Sequence, residues 1–147
     1  MLLLDQAVPA DPRFPLSGPE LMEIFEGLAA VFGLEDWEVS LRLVDDREMA
    51  ELNDQYMGCL GPTNILSFPG GDGTMLGDLV LSVETLVRES WLYNQDTREY
   101  AVRLLAHGLL HLMGHDHGPE MDGLTDVAVA AVGPDPDGSL NRLFPSV

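Results

Sequence analysis

The sequence predicts an α+β fold in which a small mixed β-sheet packs with helices. Segments with the period-two alternation of strands are interleaved with helix-like segments, but without the regular βαβ rhythm of a doubly wound sheet. The last third of the chain carries only helical patterns before its tail. Because the 147 residues contain no repeat and no boundary, we expect a single domain spanning residues 1–147.

The first half of the chain predicts a strand, a helix and a second strand. A short strand is expected at residues 2–4. Ser17 can cap the following helix, with Glu20 completing a capping box, and Gly33 ends it. The segment "WEVSLRLV", residues 37–44, alternates apolar and polar side chains and predicts a strand with one buried face.

The middle of the chain predicts a helix followed by two paired strands. Asp45 is the expected N-cap of the helix, with Glu48 three residues later. After a Gly/Pro turn, residues 65–68 and 79–83 have strand patterns, and the Gly-rich segment "PGGDGTM" between them predicts that they pair.

The remaining segments predict three helices and a tail. Two helices are expected at residues 84–93 and at about 97–113. A weaker helical pattern covers residues 121–132, and the tail is rich in Pro and Gly from Gly133 onward.

The composition indicates a soluble globular protein of the cytoplasm. Hydrophobic residues make up 46% of the chain, but no apolar run approaches the ~20 residues of a membrane span. The opening "MLLLDQ" lacks the basic region of an export signal. Cys59 is the only cysteine, so no internal disulfide forms and a reducing compartment suits the protein.

The charge balance is strongly acidic. Seven arginines and no lysine face 25 acidic residues, for a formal charge of -18 and a pI near 4.1. Because nucleic-acid binding draws much of its affinity from basic residues that neutralise phosphates, this balance counts against tight autonomous binding of RNA and against DNA as a partner. It favours association with basic proteins.

All four histidines lie within the segment "HGLLHLMGHDHG". His107 and His111 are four residues apart, which places them on one helix face, where they can share a tetrahedral ion. His115 on the same straight helix would lie ~12 Å from His107 along the axis, too far for ~2.0–2.1 Å bonds to one ion. Gly114 can end the helix and turn the chain back. Both His115 and His117 then remain candidates for the third ligand.

Three neutral imidazoles would leave one position of a tetrahedral metal ion open to water. Such a site is catalytic in character, because the metal lowers the pKa of that water toward ~7. Zinc peptidases of the His-Glu-x-x-His type carry their general base after the first histidine, where this chain has Gly108. The sequence therefore disfavours that kind of peptidase.

Three blocks of the sequence resemble the YbeY family of rRNA maturation factors. The histidine segment resembles the family's His-Gly-x-x-His-Leu-x-Gly-(Tyr/His)-Asp-His signature. "LNDQYMGCLGPTNILSFP" is similar to its Leu-Asn-x-x-Tyr-Arg...Thr-(Asp/Asn)-Val-Leu-Ser-Phe-Pro segment, and "LGDLVLS" to its Leu-Gly-Asp-Ile strand. The blocks follow the family's order and spacing between residues 52 and 118.

The resemblance implies a zincin-like metal-dependent hydrolase that binds one zinc ion per chain. It implies a single-strand-specific endoribonuclease that acts on rRNA of the small ribosomal subunit, in 16S rRNA 3'-end maturation and ribosome quality control. The zinc ligands it implies are His107, His111 and His117, so it selects His117 over His115.

The same resemblance suggests residues around the metal. Thr63, Asn64 and Ser67 match the second block and are expected in the substrate cleft. Independently of the resemblance, Asp116 is a candidate proton acceptor on proximity alone, because it lies next to a ligand. Asp78 is a candidate either to orient a ligand histidine or to stabilise a turn.

The chain departs from the family at Met57, a position that the resemblance places at the active-site cleft and where the second block usually has arginine. Methionine can neither hold a phosphate nor stabilise charge in a phosphoryl-transfer transition state. Two other functions therefore compete with RNA cleavage. One is zinc-dependent hydrolysis of an ester or amide, and the other is a non-catalytic role in ribosome assembly through a basic ribosomal protein.

Overall fold

The structure is a computed structural model that describes residues 1–9 and 11–134. The strands and helices follow one another in an order that agrees with the predicted α+β class, with the last three helices consecutive. The elements are β1 (Leu2–Gln6), α1 (Gly18–Phe32), β2 (Glu38–Val44), α2 (Asp46–Met57), β3 (Ile65–Pro69), β4 (Met75–Ser82), α3 (Val83–Leu92), α4 (Thr97–Leu112) and α5 (Pro119–Val132).

The four strands form one mixed sheet in the order β1-β2-β4-β3. Strands β1, β2 and β4 are parallel, and β3 runs antiparallel to β4. The predicted pairing across the Gly-rich turn is confirmed, with Ile65 opposite Leu81 and Phe68 opposite Asp78. The fold therefore places β3 at one edge of the sheet.

The predicted helix caps are present. The Ser17 side chain accepts a hydrogen bond from the Glu20 amide, the Glu20 carboxylate accepts one from the Ser17 amide, and Gly33 ends α1 with φ of 70°. Asp45 caps α2 by accepting a hydrogen bond from the Glu48 amide at 2.9 Å. These local signals explain why both helices begin where the sequence predicts.

Helices cover both faces of the sheet. The larger core lies between one face and helices α1, α3, α4 and α5, and α4 contributes more buried side chains than any other of these helices. The smaller cluster lies under α2 and consists of Val44, Met49, Leu66 and Val80. Because most residues of α4 are packed in the larger core, this helix is a rigid support for the side chains on its uncovered face.

Boundaries differ from the predicted ones by a few residues at most. Helix α4 ends at Leu112 and α5 begins at Pro119, earlier than the weak pattern suggested. The predicted Pro/Gly-rich tail lies outside the described residues after residue 134. Within the described part of the chain, no helix is both long and apolar enough to cross a membrane.

Gly77 allows β3, β4 and α4 to approach one another closely. It lies at a bulge in the pairing of β2 with β4 and has φ of +146°. A Cβ atom there would lie 2.4 Å from the Phe68 carbonyl oxygen and 2.9 Å from Leu112 Cδ2. Both the backbone angle and the space therefore require glycine.

Gly77→Ala should lower the free energy of unfolding by at least about 2 kcal/mol, because it combines a strained positive φ with a backbone clash. Urea denaturation followed by circular dichroism measures the effect. The matched control is Gly123→Ala, at a helical position where an added Cβ meets nothing within 4 Å. The control should be neutral or stabilising, and equal losses in both variants would contradict the close approach.

Candidate metal centre

Helix α4 presents His107 and His111 on the face that the core does not cover. The helix starts at the N-cap Asp96, whose side chain accepts a hydrogen bond from the Glu99 amide at 3.0 Å. Ten of its residues are buried, whereas the two histidines are only partly buried. The buried side chains hold the helix, so the spacing of four residues places both imidazoles over one cleft.

The end of α4 turns the chain back toward these histidines. Gly114 has φ of +94°, and its amide donates to the His111 carbonyl at 3.0 Å. The His115 amide donates to the Leu110 carbonyl, also at 3.0 Å. This pair of bonds is a Schellman motif with glycine at the left-handed position. The helix stop predicted at Gly114 therefore brings the following residues over the cleft.

The reversal brings His117 next to the two helix histidines. The ring centroids are 4.9 Å apart for His107 and His111, 5.0 Å for His107 and His117, and 4.6 Å for His111 and His117. One ring nitrogen from each residue can be chosen so that all three lie within 4.8 Å of one another. Bonds of ~2.0–2.1 Å to one tetrahedral ion need nitrogens roughly 3.4 Å apart. The three histidines could therefore hold one metal ion.

A hydrogen bond determines which nitrogen of His111 faces the cleft. His111 Nδ1 lies 3.1 Å from the His115 carbonyl oxygen. Because a carbonyl oxygen can only accept, Nδ1 carries the proton and Nε2 keeps its lone pair for a metal. The backbone of His115, and not its side chain, thus orients a ligand.

The electrostatic environment favours the neutral form of His107. Partial burial, together with the neighbouring His111 and His117, lowers the pKa of His107 from its usual value of 6.5. Only a neutral imidazole can donate a lone pair to a metal, so the lowered pKa reduces competition from protons.

His117→Ala should lose bound metal, whereas His115→Ala should largely keep it. The reason is that His117 supplies a ring nitrogen to the group, but His115 contacts His111 through a carbonyl that alanine retains. Elemental analysis of both variants, purified side by side, measures the difference. Equal loss in both variants would show that the third ligand is wrongly assigned.

The residue after His107 explains why the peptidase pattern is absent. A Cβ atom on Gly108 would lie 2.9 Å from Ile65 Cδ1 and 2.9 Å from Leu79 Cδ2. The helix contacts the sheet at this position, so a glutamate here would enter the packed layer and not the cleft. The expectation that the chain lacks this general base has a steric reason.

The three histidines line a cleft of about 580 Å3. The expected site residues Met57, Asn64, Ser67 and Asp116 all contribute to its walls, whereas Thr63 is not among the lining residues. No arginine lines the cleft in the part of the chain that the structure describes. The lining residues are Met57, Asn64, Ile65, Leu66, Ser67, Pro69, His107, His111, Gly114, His115, Asp116 and His117.

Asp78 does not orient a ligand histidine. It alternates along β4 with Leu79, which faces the α4 side of the sheet, so Asp78 faces the opposite side. There it is exposed and lines a separate groove beside Arg42 and Phe68.

A polar network that the sequence does not reveal supports the cleft wall at Asn64. The Asn64 side chain donates to the Glu89 carboxylate at 3.0 Å and accepts from the Ile65 amide at 2.7 Å. The buried Tyr100 hydroxyl donates to the same Glu89 oxygen at 2.9 Å. Burial and the adjacent carboxylate raise the pKa of Tyr100, so this hydroxyl keeps its proton. The network holds the start of β3 in place.

An α+β fold with three histidines that could hold a metal ion in an open cleft is typical of a metal-dependent hydrolase. Comparison with known proteins gives the particular family. The family model described as "Endoribonuclease YbeY" matches residues 20–125. The chain therefore belongs to the YbeY family, which confirms the resemblance seen in the sequence.

Individual relatives agree with this assignment. The chain is 40% identical to Endoribonuclease YbeY of Nitratidesulfovibrio vulgaris, over 86% of this chain and 91% of that protein. It is 39% identical to the Oleidesulfovibrio alaskensis protein of the same name, over 86% and 89%. The solution structure of TM1509 from Thermotoga maritima shares the fold, with a TM-score of 0.67 at 23% identity, covering 99% of this chain and 94% of that chain.

Proposed function

We propose that the chain is a zinc-dependent, single-strand-specific endoribonuclease of the cytoplasm that acts in 16S rRNA 3'-end maturation and ribosome quality control. The observation that carries the proposal is the three-histidine group at the wall of an open cleft in a member of the YbeY family. The relatives named as endoribonucleases support RNA as the substrate.

The donor set supports zinc as the metal. Three imidazole nitrogens without a thiolate, together with one open position, form the ligand set of catalytic zinc sites. A zinc ion in this position would supply Lewis acidity toward a phosphoryl oxygen and would lower the pKa of a water molecule beside it.

The chain's own residues supply orientation and proton transfer. The His115 carbonyl fixes the ring of His111, and the Schellman turn at Gly114 fixes the approach of His117. Asp116 lies between His115 and His117 in the chain and is exposed in the cleft wall. Its carboxylate is the proposed proton acceptor. Met57 forms an apolar part of the wall and stabilises no charge.

Hydrolysis of a neutral ester or amide is a second candidate function. The observation in its favour is that no arginine lines the cleft within the described residues. A substrate without phosphate would not need a cation there.

The acidic charge supports a ribosomal partner of opposite sign. With 25 acidic residues against seven arginines, the surface repels RNA and attracts basic proteins. We propose that a basic ribosomal protein of the small subunit brings the enzyme to its rRNA substrate. Electrostatic attraction of this kind raises the rate at which two proteins associate more than it raises their affinity.

The isolated chain should bind naked rRNA only weakly, with a Kd above about 1 μM in ~0.15 M salt, and with a shallow dependence on salt. Tight RNA binding with a steep salt slope requires many phosphate contacts, which a charge of -18 opposes. Fluorescence anisotropy across a salt series measures both quantities. Sub-micromolar binding with a steep slope would contradict this prediction.

Cleavage of defined RNAs tests the function itself. The zinc-loaded chain should cut a single-stranded RNA with the 16S 3'-end sequence and leave the same RNA intact when it is fully paired. A chelator should stop the reaction, and added zinc should restore it. Hydrolysis of a model ester without any RNA cleavage would favour the second candidate function, and cleavage that survives chelation would overturn metal dependence.

A further inference from the structure

The free edge of β3 forms part of the cleft wall. The sheet order β1-β2-β4-β3 pairs β3 on one side only, among the residues that the structure describes. Ile65, Ser67 and Pro69 all line the cleft beside the three histidines. A ligand in the cleft would therefore contact both the unpaired edge of β3 and the three histidines.

The pairing of β3 with β4 shows which backbone groups point to that edge. The Ser82 amide donates to the Asn64 carbonyl at 2.9 Å, and the Gly70 amide donates to the Leu76 carbonyl at 3.2 Å. In an antiparallel pair, residues alternate between those that bond the partner strand and those that point away from it. Even-numbered residues of this segment thus bond β4, and Ile65, Ser67 and Pro69 direct their backbone groups to the free edge.

The edge retains one amide donor. The Ile65 amide already donates to the Asn64 side chain at 2.7 Å, and Pro69 has no amide hydrogen. The Ser67 amide and carbonyl have no hydrogen-bond partner among the described residues. The Ser67 hydroxyl donates to the Gly108 carbonyl at 3.3 Å, so the side chain is directed toward α4 while the backbone pair faces the cleft.

We propose that the Ser67 amide and carbonyl bind the Watson–Crick edge of one unpaired nucleobase of the RNA in the cleft. This inference rests on the proposed function, since it assigns a subsite for its substrate. Each nucleobase carries a donor next to an acceptor on that edge, which matches an amide and a carbonyl of one extended residue. A paired base has this edge occupied, so the subsite would also account for selection of single strands.

The same edge is poorly suited to two other ligands. A phosphate would meet the carbonyl oxygens of Ile65 and Ser67 with no arginine in the described cleft wall to neutralise it. An extended peptide adds to a strand edge through a row of regularly spaced bonds. Here the Asn64 side chain and Pro69 remove the donors on either side of Ser67, which leaves a single donor–acceptor pair.

Two substitutions of Ser67 separate its backbone from its side chain. Ser67→Pro removes the amide donor, and Pro69 shows that this edge of the strand accepts proline. Ser67→Ala keeps the amide and removes only the hydroxyl. We expect kcat/KM for a single-stranded RNA to fall roughly tenfold in Ser67→Pro, the value of about one hydrogen bond. Ser67→Ala is the reference for this loss, because it lacks the same hydroxyl as Ser67→Pro but keeps the amide, and zinc content should be equal in all three proteins.

Modified RNAs test the subsite without changing the protein. A single N1-methyladenosine, N3-methylcytidine or N3-methyluridine is moved position by position along the RNA, because each methyl group blocks the Watson–Crick edge. We expect one position near the cut to lower kcat/KM for the unchanged chain roughly tenfold, and to have no further effect in Ser67→Pro.

The outcomes separate this inference from the proposed function. If the zinc-loaded chain does not cut unmodified RNA, the proposed function fails. If it cuts RNA but no methylated position lowers kcat/KM, only the nucleobase subsite is overturned. The same holds if kcat/KM falls as far in Ser67→Ala as in Ser67→Pro. Binding of an unstructured peptide that Ser67→Pro abolishes while RNA cleavage is unchanged would replace the nucleobase with a peptide.

Discussion

Replacing His111 with alanine should reduce RNA cleavage by roughly a thousandfold or more and should remove the bound metal. His111 supplies one of only three ring nitrogens in the group, and two histidines on their own hold an ion weakly. Lewis-acid catalysis by the metal is worth several kcal/mol, and each ~1.36 kcal/mol is a factor of ten in rate. Single-turnover cleavage and elemental analysis of the same preparation measure both losses.

The matched control for this substitution is His115→Ala. It removes an imidazole from the same cleft wall but keeps the carbonyl that orients His111. It should retain metal and most of the cleavage rate.

Thermal unfolding gives an independent readout of the same site. A ligand that binds only the folded chain adds RT ln(1 + [L]/Kd) to its stability, so added zinc should raise the Tm of the unchanged chain and of His115→Ala. It should leave the Tm of His111→Ala unchanged. Full metal occupancy and normal cleavage in His111→Ala would show that the metal centre lies elsewhere.

The parts of this molecule that depend on local sequence were predictable. The caps at Ser17 and Asp45 bond to amides three residues away, so each helix start is encoded within one turn. The metal group is nearly as local, because His107 and His111 share a helix face and Gly114 reverses the chain within a few residues. Short-range spacing therefore predicts two of the three histidines and the chain reversal, whereas the choice of His117 over His115 depends on the family resemblance.

The parts that depend on tertiary packing were not predictable from one sequence. Glu89 lies on helix α3, 25 residues from Asn64, and no local pattern links the two side chains. The order of the strands likewise depends on how helices pack across the sheet. Asp78 is different, because its alternation with the apolar Leu79 is itself a sequence signal that its side chain faces away from α4.

Met57 is the position where this chain and its family pattern differ in chemistry. It is the last residue of α2, it is 48% exposed, and it lines the cleft beside the histidines. An arginine here, which the resemblance leads us to expect of the family, would place a cation at the same cleft. Methionine leaves the developing negative charge of phosphoryl transfer without that stabilisation.

No arginine on the same helix replaces the missing cation. Arg47 lies ten residues earlier in α2, roughly 15 Å along the helix axis. Its guanidinium is exposed and lies 3.7 Å from the Glu51 carboxylate. It is also absent from the cleft lining. The native chain should therefore cleave RNA slowly.

Met57→Arg should raise the single-turnover cleavage rate by about 10²–10³-fold without changing zinc content, because one well-placed charge-stabilising donor has that effect. Leu60→Arg is the matched control: it adds the same charge at a 94% exposed position that does not line the cleft. A gain confined to Met57→Arg identifies transition-state stabilisation. General attraction of RNA would instead lower KM, and so raise kcat/KM, in both variants. Combining Met57→Arg with His111→Ala should abolish the gain. If the native chain already cleaves as fast as Met57→Arg at equal zinc occupancy, position 57 does not limit catalysis, and another group must stabilise the transition state.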